Sequence, residues 1–177
     1  NNSVAYTEKP DMETFMREWL ALVESKSGER GIFSRVAAKK QVAKNGRRDP
    51  DHEWGTNPCS EILLRPNQFC NLTEVVARHD DSLETLTEKV RLATILGTIQ
   101  ATYTKFPYLR KIWQKNTEEE RLLGVSLTGI MDCKLISNLF SKTSVLGSLK
   151  DEAIQTNKEY SKRMGIPQST AITCVKP

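Results

Sequence analysis

Five consecutive residues concentrate the chemistry of this chain. Asn57-Pro58-Cys59-Ser60-Glu61 carries a carboxamide, a thiol and a carboxylate at alternate positions. Pro58 fixes one of its own backbone angles and restricts Asn57 before it. In an extended or looped backbone, positions 57, 59 and 61 point the same way, so all three groups can meet one small ligand. Cys59 then supplies sulfur chemistry, Glu61 accepts a proton from a ligand hydroxyl, and Asn57 donates and accepts hydrogen bonds. Cys70 follows eleven residues later. If residues 65–68 let the chain double back, the second thiol lies across the same ligand. Against this, a lone cysteine is most often a small buried hydrophobe. A His-activated cysteine nucleophile is the specific catalytic rival. His52 and His79 are the only histidines, and neither sits in a recognisable protease context.

The elements that must position these residues alternate between strand and helix. Residues 4–6 are short, β-branched and aromatic, as at a strand end. Asp11 is placed to cap a helix in which Met12, Phe15, Met16, Trp19, Leu22 and Val23 recur at helical spacing as core contacts, with Gly28 ending it. Residues 32–51 read as irregular and basic. Lys39, Lys40, Lys44, Arg47 and Arg48 either meet phosphates or belong to a solvated helix end before the turn Asn45-Gly46. The second reading is favoured because no aromatic residue interleaves with the charges for base stacking. Residues 54–58 read as a tight turn. Two apolar runs follow, 62–64 and 72–77, the second being the better strand candidate.

Asp80, Asp81 and Ser82 offer capping chemistry to the clearest helix, with Leu83, Leu86, Val90, Ala93, Leu96, Ile99 and Tyr103 in one stripe that stops before Pro107. Thr117 is expected to cap another helix, with Glu118, Glu119 and Glu120 favourably placed for its dipole. Periodicity does not settle residues 122–131. Residues 151–164 form a weaker helix broken at Gly165-Ile166-Pro167, and 171–175 read as a strand. No internal repeat or domain linker is seen. The expected fold class is α/β.

Composition sets the bounds. The 177 residues fit one ordinary domain. The 38% apolar content is too high for a disordered chain, and no apolar run approaches the ~18 residues of a membrane-spanning helix. A net charge of +4 suits a polyanionic ligand such as a nucleotide without demanding one. Cys59, Cys70, Cys133 and Cys174 form no Cys-x-x-Cys pair, so neither a structural zinc site nor a secreted disulfide scaffold is expected. The glycosylation triplets Asn1-Asn2-Ser3 and Asn71-Leu72-Thr73 are read as chance, and a reducing, cytoplasmic setting as the default. Both ends read as internal to a longer polypeptide, since neither resembles a solvated terminus.

The stretch Asn57-Pro58-Cys59-Ser60-Glu61-Ile62, followed by Cys70-Asn71-Leu72, closely resembles the active-site segment of ribonucleotide reductases. The spacing of the two cysteines is most similar to the adenosylcobalamin-dependent class. The aerobic iron-dependent class spaces them more widely. Asn1-Asn2-Ser3-Val4 resembles a barrel strand of the monomeric, triphosphate-reducing members. Gly28-Glu29-Arg30-Gly31-Ile32, the segment from Gly124 through Ser126 to Ile130, and the segment from Ile172 through Cys174 to Pro177 also match.

The resemblance implies a single partial domain over residues 1–177, the central part of a ten-stranded α/β barrel with Cys59 at the tip of a finger loop. It implies adenosylcobalamin as cofactor, a ribonucleoside triphosphate or diphosphate as substrate, a deoxynucleotide effector and a thioredoxin-type reductant, and neither a membrane nor a nucleic acid. The catalytic residues it implies are Cys59 as thiyl radical, Glu61 as base for the 3′-hydroxyl, Asn57 on the ribose hydroxyls and Cys70 as half of a reducing dithiol. Asn57, Pro58 and Ser60 line the substrate, and no residue is assigned to the cofactor. The partner of Cys70, the tail dithiol and the phosphate-cradling Ser-Gly-Thr turn are not among the 177 residues. Ser60 replaces the Gly common at its position, and Cys133 and Cys174 match no redox position. The alternatives are the same chemistry driven by a metal-bearing small subunit, and a non-catalytic basic nucleotide- or nucleic-acid-binding module using Lys39 to Arg48.

Overall fold

The computed structural model describes residues 2–28, 30–44, 46–137 and 139–172. The chain forms two compact units, Asn1–Pro66 and Asn67–Pro177. The secondary structure is mixed α/β, with parallel strand pairs in both units.

In the first unit, strand β1 (Asn2–Tyr6) pairs in parallel with β2 (Arg30–Ser34), Val4 opposite Ile32. Parallel neighbours need a crossover, and helix α1 (Met12–Ser25) provides it. Asp11 caps α1 as expected, its carboxylate accepting the Thr14 N–H at 2.9 Å. Lys26, in the left-handed region at φ 47°, ends it before Gly28 is reached. The stripe on α1 does not form a core. No residue of α1 is fully buried, and Met12, Met16, Trp19 and Val23 are exposed. A two-stranded sheet is too narrow to cover such a stripe.

Residues 30–43 are regular rather than irregular. Strand β2 runs into α2 (Arg35–Ala43), whose N-cap Ser34 accepts the Ala37 N–H at 3.2 Å. Ala38 and Val42 face inward and, with Phe33 and Leu63, enclose Trp54, which is 0% exposed. The basic residues fall on the other side of α2, which hides its periodicity from a reading of charge alone. Residues 55–56 are not a turn. Strand β3 (Gly55–Thr56) pairs antiparallel with β4 (Leu63–Leu64).

In the second unit, β5 (Leu72–Val76) pairs in parallel with β6 (Gly124–Thr128), Val75 opposite Leu127. Helices α3 (Leu83–Gln100) and α4 (Lys111–Glu120) lie between them in the chain. Then come α5 (Lys134–Ser137) and α6 (Leu139–Met164). The core comprises Val75, Leu86, Val90, Val125, Leu127, Ile136, Val145 and Leu149 with their neighbours, and Cys133 lies within it at 0% exposure. Of the strand expected over 171–175, the described part is a parallel bridge from Ile172 to Leu123. The remainder, including Cys174, lies outside the described residues.

Ser82 alone caps α3, in a reciprocal box with Thr85. The buried arc of α3 differs from the predicted stripe. Leu86, Val90 and Ala93 are buried, but Leu83, Leu96, Ile99 and Tyr103 are exposed, and Thr94, Gly97 and Thr98 take the inner positions. Small residues there let neighbours approach closely: a Cβ on Gly97 would collide with Leu123 Cδ1. A polar seam joins α3 to α6. Asn157 Nδ2 donates to Thr98 Oγ1 at 3.0 Å, and Asn157 Oδ1 accepts the Ser169 N–H at 3.0 Å. Thr117 lies inside α4, donating to the Trp113 carbonyl, and Glu118 to Glu120 form its last turn. Their side chains find local donors instead of a helix N-terminus. Glu118 accepts from Gln114 and, less strongly felt, from Thr104, which hold its pKa below the ordinary value, and buried Glu120 accepts from Gln68.

Candidate active-site loop

The residues singled out at 57–61 occupy the connection of the β3–β4 hairpin. The loop is closed by Asn57. Its carbonyl accepts the Ser60 N–H at 3.0 Å, making a tight turn over 57–60, and its side-chain Oδ1 accepts the Ile62 N–H at 3.1 Å. Its own N–H donates to the Ile62 carbonyl at 3.3 Å. Ser60 sits at φ +68°, in the left-handed region, where a residue with a Cβ pays roughly 1–2 kcal/mol. That backbone demand gives a physical reason for glycine to suit the position.

The turn removes the alternation expected of an extended backbone. Asn57 is 4% exposed and knits the loop together, whereas Pro58, Cys59 and Ser60 are exposed at its apex. Glu61 is half-buried, with both carboxylate oxygens withdrawn from solvent. The thiol is therefore presented outward by a loop whose base is fixed from within. The carboxamide oxygen is committed to the loop, leaving Asn57 only its Nδ2 donors for a ligand.

The hairpin has a firm base, and sequence reasoning missed what makes it so. The Arg48 guanidinium lies 4.3 Å from the centre of the Trp54 ring and donates to the Leu63 carbonyl at 3.0 Å, tying α2's trailing segment to β4. A cation over a Trp face is worth ~0.5–2 kcal/mol. Trp54 Nε1 donates to Pro50 O at 3.1 Å, and Arg35 Nε donates to Trp54 O at 3.2 Å. Arg48 is thus a structural member of the basic run, while Lys39, Lys40, Lys44 and Arg47 are exposed. The available signal was a single Trp six residues beyond the last arginine, just before the loop.

Among the described residues neither histidine partners a cysteine. His52 meets Arg65 at 3.1 Å, the edge of Trp54, and Asp49 at 3.9 Å. His79 Nδ1 lies 3.3 Å from the Asp132 carbonyl. Cys70 is exposed and immediately precedes the Asn71-Leu72 entry to β5. It belongs to the second unit and Cys59 to the first. Asn71 Nδ2 donates to Gly97 O at 3.0 Å, and Gly124 N–H donates to Asn71 O at 2.7 Å, fixing the segment on which Cys70 is carried. No cluster of three or more His, Cys, Asp or Glu side chains suited to a metal ion occurs among the described residues. No helix among them is long and apolar enough to cross a membrane.

The fold is shared with part of a solved structure. The chain superposes on part of the crystal structure of a B12-dependent (class II) ribonucleotide reductase with a TM-score of 0.59 at 19% identity, covering 92% of this chain and 29% of that one. No protein-family model matches the chain. Among curated proteins it is 32% identical, over 95% of its own length, to the adenosylcobalamin-dependent ribonucleoside-triphosphate reductase of Lacticaseibacillus paracasei, covering 22% of that protein. It is 31% identical over 73% of its length to the same-named enzyme of Lactobacillus acidophilus, covering 20% of it. It is 28% identical over 70% of its length to a probable enzyme of that name from Dictyostelium discoideum, covering 16% of it. The chain spans about a fifth of the length of the curated relatives it matches. The resemblance carried by the loop and its flanking motifs is thus the resemblance of the chain as a whole: it is similar to one segment of the adenosylcobalamin-dependent ribonucleotide reductases.

Proposed function

We propose that this chain is the finger-loop segment of a ten-stranded α/β reductase barrel and that it takes part in converting ribonucleotides, ribonucleoside triphosphates first, to 2′-deoxyribonucleotides. The observation that carries the reading is the outward-facing Cys59 at the apex of a two-stranded hairpin closed by Asn57. The similarity of the whole chain to reductases named for adenosylcobalamin supports that group as the cofactor.

The loop fits the reacting end of such a group. The apex thiol is flanked only by Pro58 and Ser60, both exposed, so a bulky partner has room to approach. The cradle for the cofactor is not assigned to residues of this chain. When bound, adenosylcobalamin supplies a radical by homolysis of its cobalt–carbon bond.

The chain's own residues do the rest. Cys59, having given up a hydrogen atom, is a thiyl radical and takes the 3′ hydrogen of the ribose, becoming a thiol again. Glu61 accepts the 3′-hydroxyl proton while Asn57 Nδ2 holds the ribose hydroxyls. Pro58 and Ser60 wall the sugar. Cys70 and a second thiol supply two electrons and two protons: one proton leaves with the 2′-hydroxyl as water, and the other, with the two electrons, becomes the new hydrogen on C2′. The two sulfurs close to a disulfide, and Glu61 returns its proton to the 3′ oxygen. Cys59 returns a hydrogen atom to C3′ and is a thiyl radical once more. One ribonucleotide and one dithiol give one deoxyribonucleotide, water and one disulfide. A thioredoxin-type dithiol reopens the disulfide, and a deoxynucleotide effector tunes substrate choice. A site enclosed by a barrel keeps the radical from stray hydrogen donors.

Deoxynucleotide formation from ribonucleoside triphosphates by the full-length protein, assayed anaerobically with and without adenosylcobalamin, tests the reading. Strict dependence on the cofactor is expected. Turnover that instead requires a metal-bearing partner subunit overturns the cofactor assignment, and absence of deoxynucleotide under both conditions overturns the function.

A further inference from the structure

Cys70 sits in a stretch without regular structure. Residues 68–71 belong to no strand, since β5 begins at Leu72. Such a stretch takes its position from individual bonds rather than from a ladder. On one side these come from α4 and its N-cap residue Arg110. Asn116 Nδ2 donates to the Asn67 carbonyl at 3.2 Å, Arg110 Nη2 donates to Asn67 Oδ1 at 2.8 Å, and Gln68 Nε2 donates to Glu120 Oε2. The Phe69 ring packs on that of Trp113, at 4.6 Å between centres. On the other side, Asn71 is tied to Gly97 and Gly124. Cys70 is exposed between these anchors.

Glu120 is the costly member of the set. It is 4% exposed, and its partner Gln68 7%. It is also the last residue of α4, where a carboxylate meets the negative end of the helix dipole. A buried carboxyl gives up its hydration, and a pair of apolar side chains of the same shape serves stability about as well as a buried hydrogen bond. Stability alone therefore argues against Glu at this position. What Glu120 secures is a joint. Its main-chain carbonyl accepts the Thr170 N–H at 2.9 Å, and Asn157 accepts the Ser169 N–H while donating to Thr98 of α3. Gln68, two residues before Cys70, is thereby fastened through Glu120 to α4 and to the polar seam between α3 and α6.

We propose that Glu120, acting through Gln68, is a positioning residue for Cys70, holding the thiol where it closes its disulfide. The inference rests on the reading of Cys70 as half of a reducing dithiol. A thiol on a fixed segment has a higher effective concentration toward its partner than one on a loose segment. The anchor therefore favours the disulfide over the two thiols.

The test is a redox titration of the full-length protein in mixtures of reduced and oxidised dithiothreitol, with the thiol and disulfide forms of Cys70 counted by mass spectrometry. Glu120→Ala and Gln68→Ala, each checked for folding by circular dichroism, are expected to shift the equilibrium about tenfold toward the thiols, which raises the midpoint potential by about 30 mV. Gln68→Glu combined with Glu120→Gln exchanges donor and acceptor, rebuilds the bond and is expected to restore the midpoint of the parent. The exchange also carries the test where an alanine variant does not fold: Gln68→Glu alone, with two acceptors facing each other, is expected to shift the midpoint as alanine does. Variants that lose thermal stability but keep the parent's midpoint make Glu120 a structural residue only and overturn the inference, as does an exchange that fails to restore a shifted midpoint. A parent in which Cys70 forms no disulfide in any mixture overturns the reading of Cys70 as a reductant, and the inference falls with it.

Discussion

At the scale of single residues, Asn57 closes the loop with three hydrogen bonds and Ser60 accepts a left-handed backbone, and between them they set how Cys59 is presented. The strain at Ser60 has a simple consequence. Ser60→Gly removes the Cβ that the left-handed conformation disfavours and is expected to raise stability by up to about 1 kcal/mol. Urea denaturation measures this, and a loss of stability would show that Ser60 contributes more through contacts than it costs in backbone. Glu61 carries a different kind of prediction. If it accepts the 3′-hydroxyl proton, Glu61→Gln keeps the shape and removes the base. Deoxynucleotide formation then falls about 10²–10⁴-fold with the fold intact by circular dichroism. Near-normal kcat in that variant removes Glu61 from the proton path.

At the scale of elements, the entry to α3 shows how local chemistry is divided. Ser82 takes the cap, leaving Asp81 to accept from Lys89 Nζ at 2.6 Å, from the Arg78 N–H at 2.7 Å and from Thr85 Oγ1 at 2.8 Å. The Lys89 hydrogen bond, then that of Arg78, holds the Asp81 carboxyl down at about 2, against an ordinary value of 3.8. A folded-state pKa below the unfolded one means that this contribution to stability is complete above the ordinary carboxylate range. It is lost as pH falls through about 2. Asp81→Asn is therefore expected to flatten the acid limb of a stability-versus-pH curve between about pH 4 and 2, as measured by thermal unfolding. An unchanged limb would assign the acid sensitivity elsewhere.

The same scale shows what sequence could reveal. Asp11, Ser82, the strand beginning at Leu72 and the α/β character were legible because caps and β-branched runs act locally. The left-handed end of α1 at Lys26, the small-residue arc of α3 and the position of Thr117 within α4 were not. The α3 arc and the run of α4 through Thr117 depend on neighbours brought in from elsewhere, Leu123 against Gly97, Asn157 against Thr98 and Thr104 against Glu118, whereas the cap at Lys26 is local, its N–H donating to the Val23 carbonyl, and no residue type there marks a left-handed backbone. The loop chemistry was legible as a set of residue types. Its internal closure by Asn57 was not, because alternation is a property of extended chain and 57–60 turn.

At the scale of the whole molecule, the proposed chemistry turns on one thiol. Two units, each with a parallel strand pair, carry Cys59 at a hairpin apex and Cys70 at a strand entry, while Cys133 is sealed in a core. The measurement that bears most directly on the claim is turnover by full-length Cys59→Ser, in the presence of adenosylcobalamin and a dithiol reductant, alongside Cys133→Ser as a control. Serine holds its hydrogen too strongly to serve as a radical relay but preserves the size of the apex. The account predicts no deoxynucleotide above background from Cys59→Ser, with folding and nucleotide binding retained, and activity from Cys133→Ser in proportion to the protein that folds. Deoxynucleotide formation by Cys59→Ser at a rate near that of the parent would contradict it.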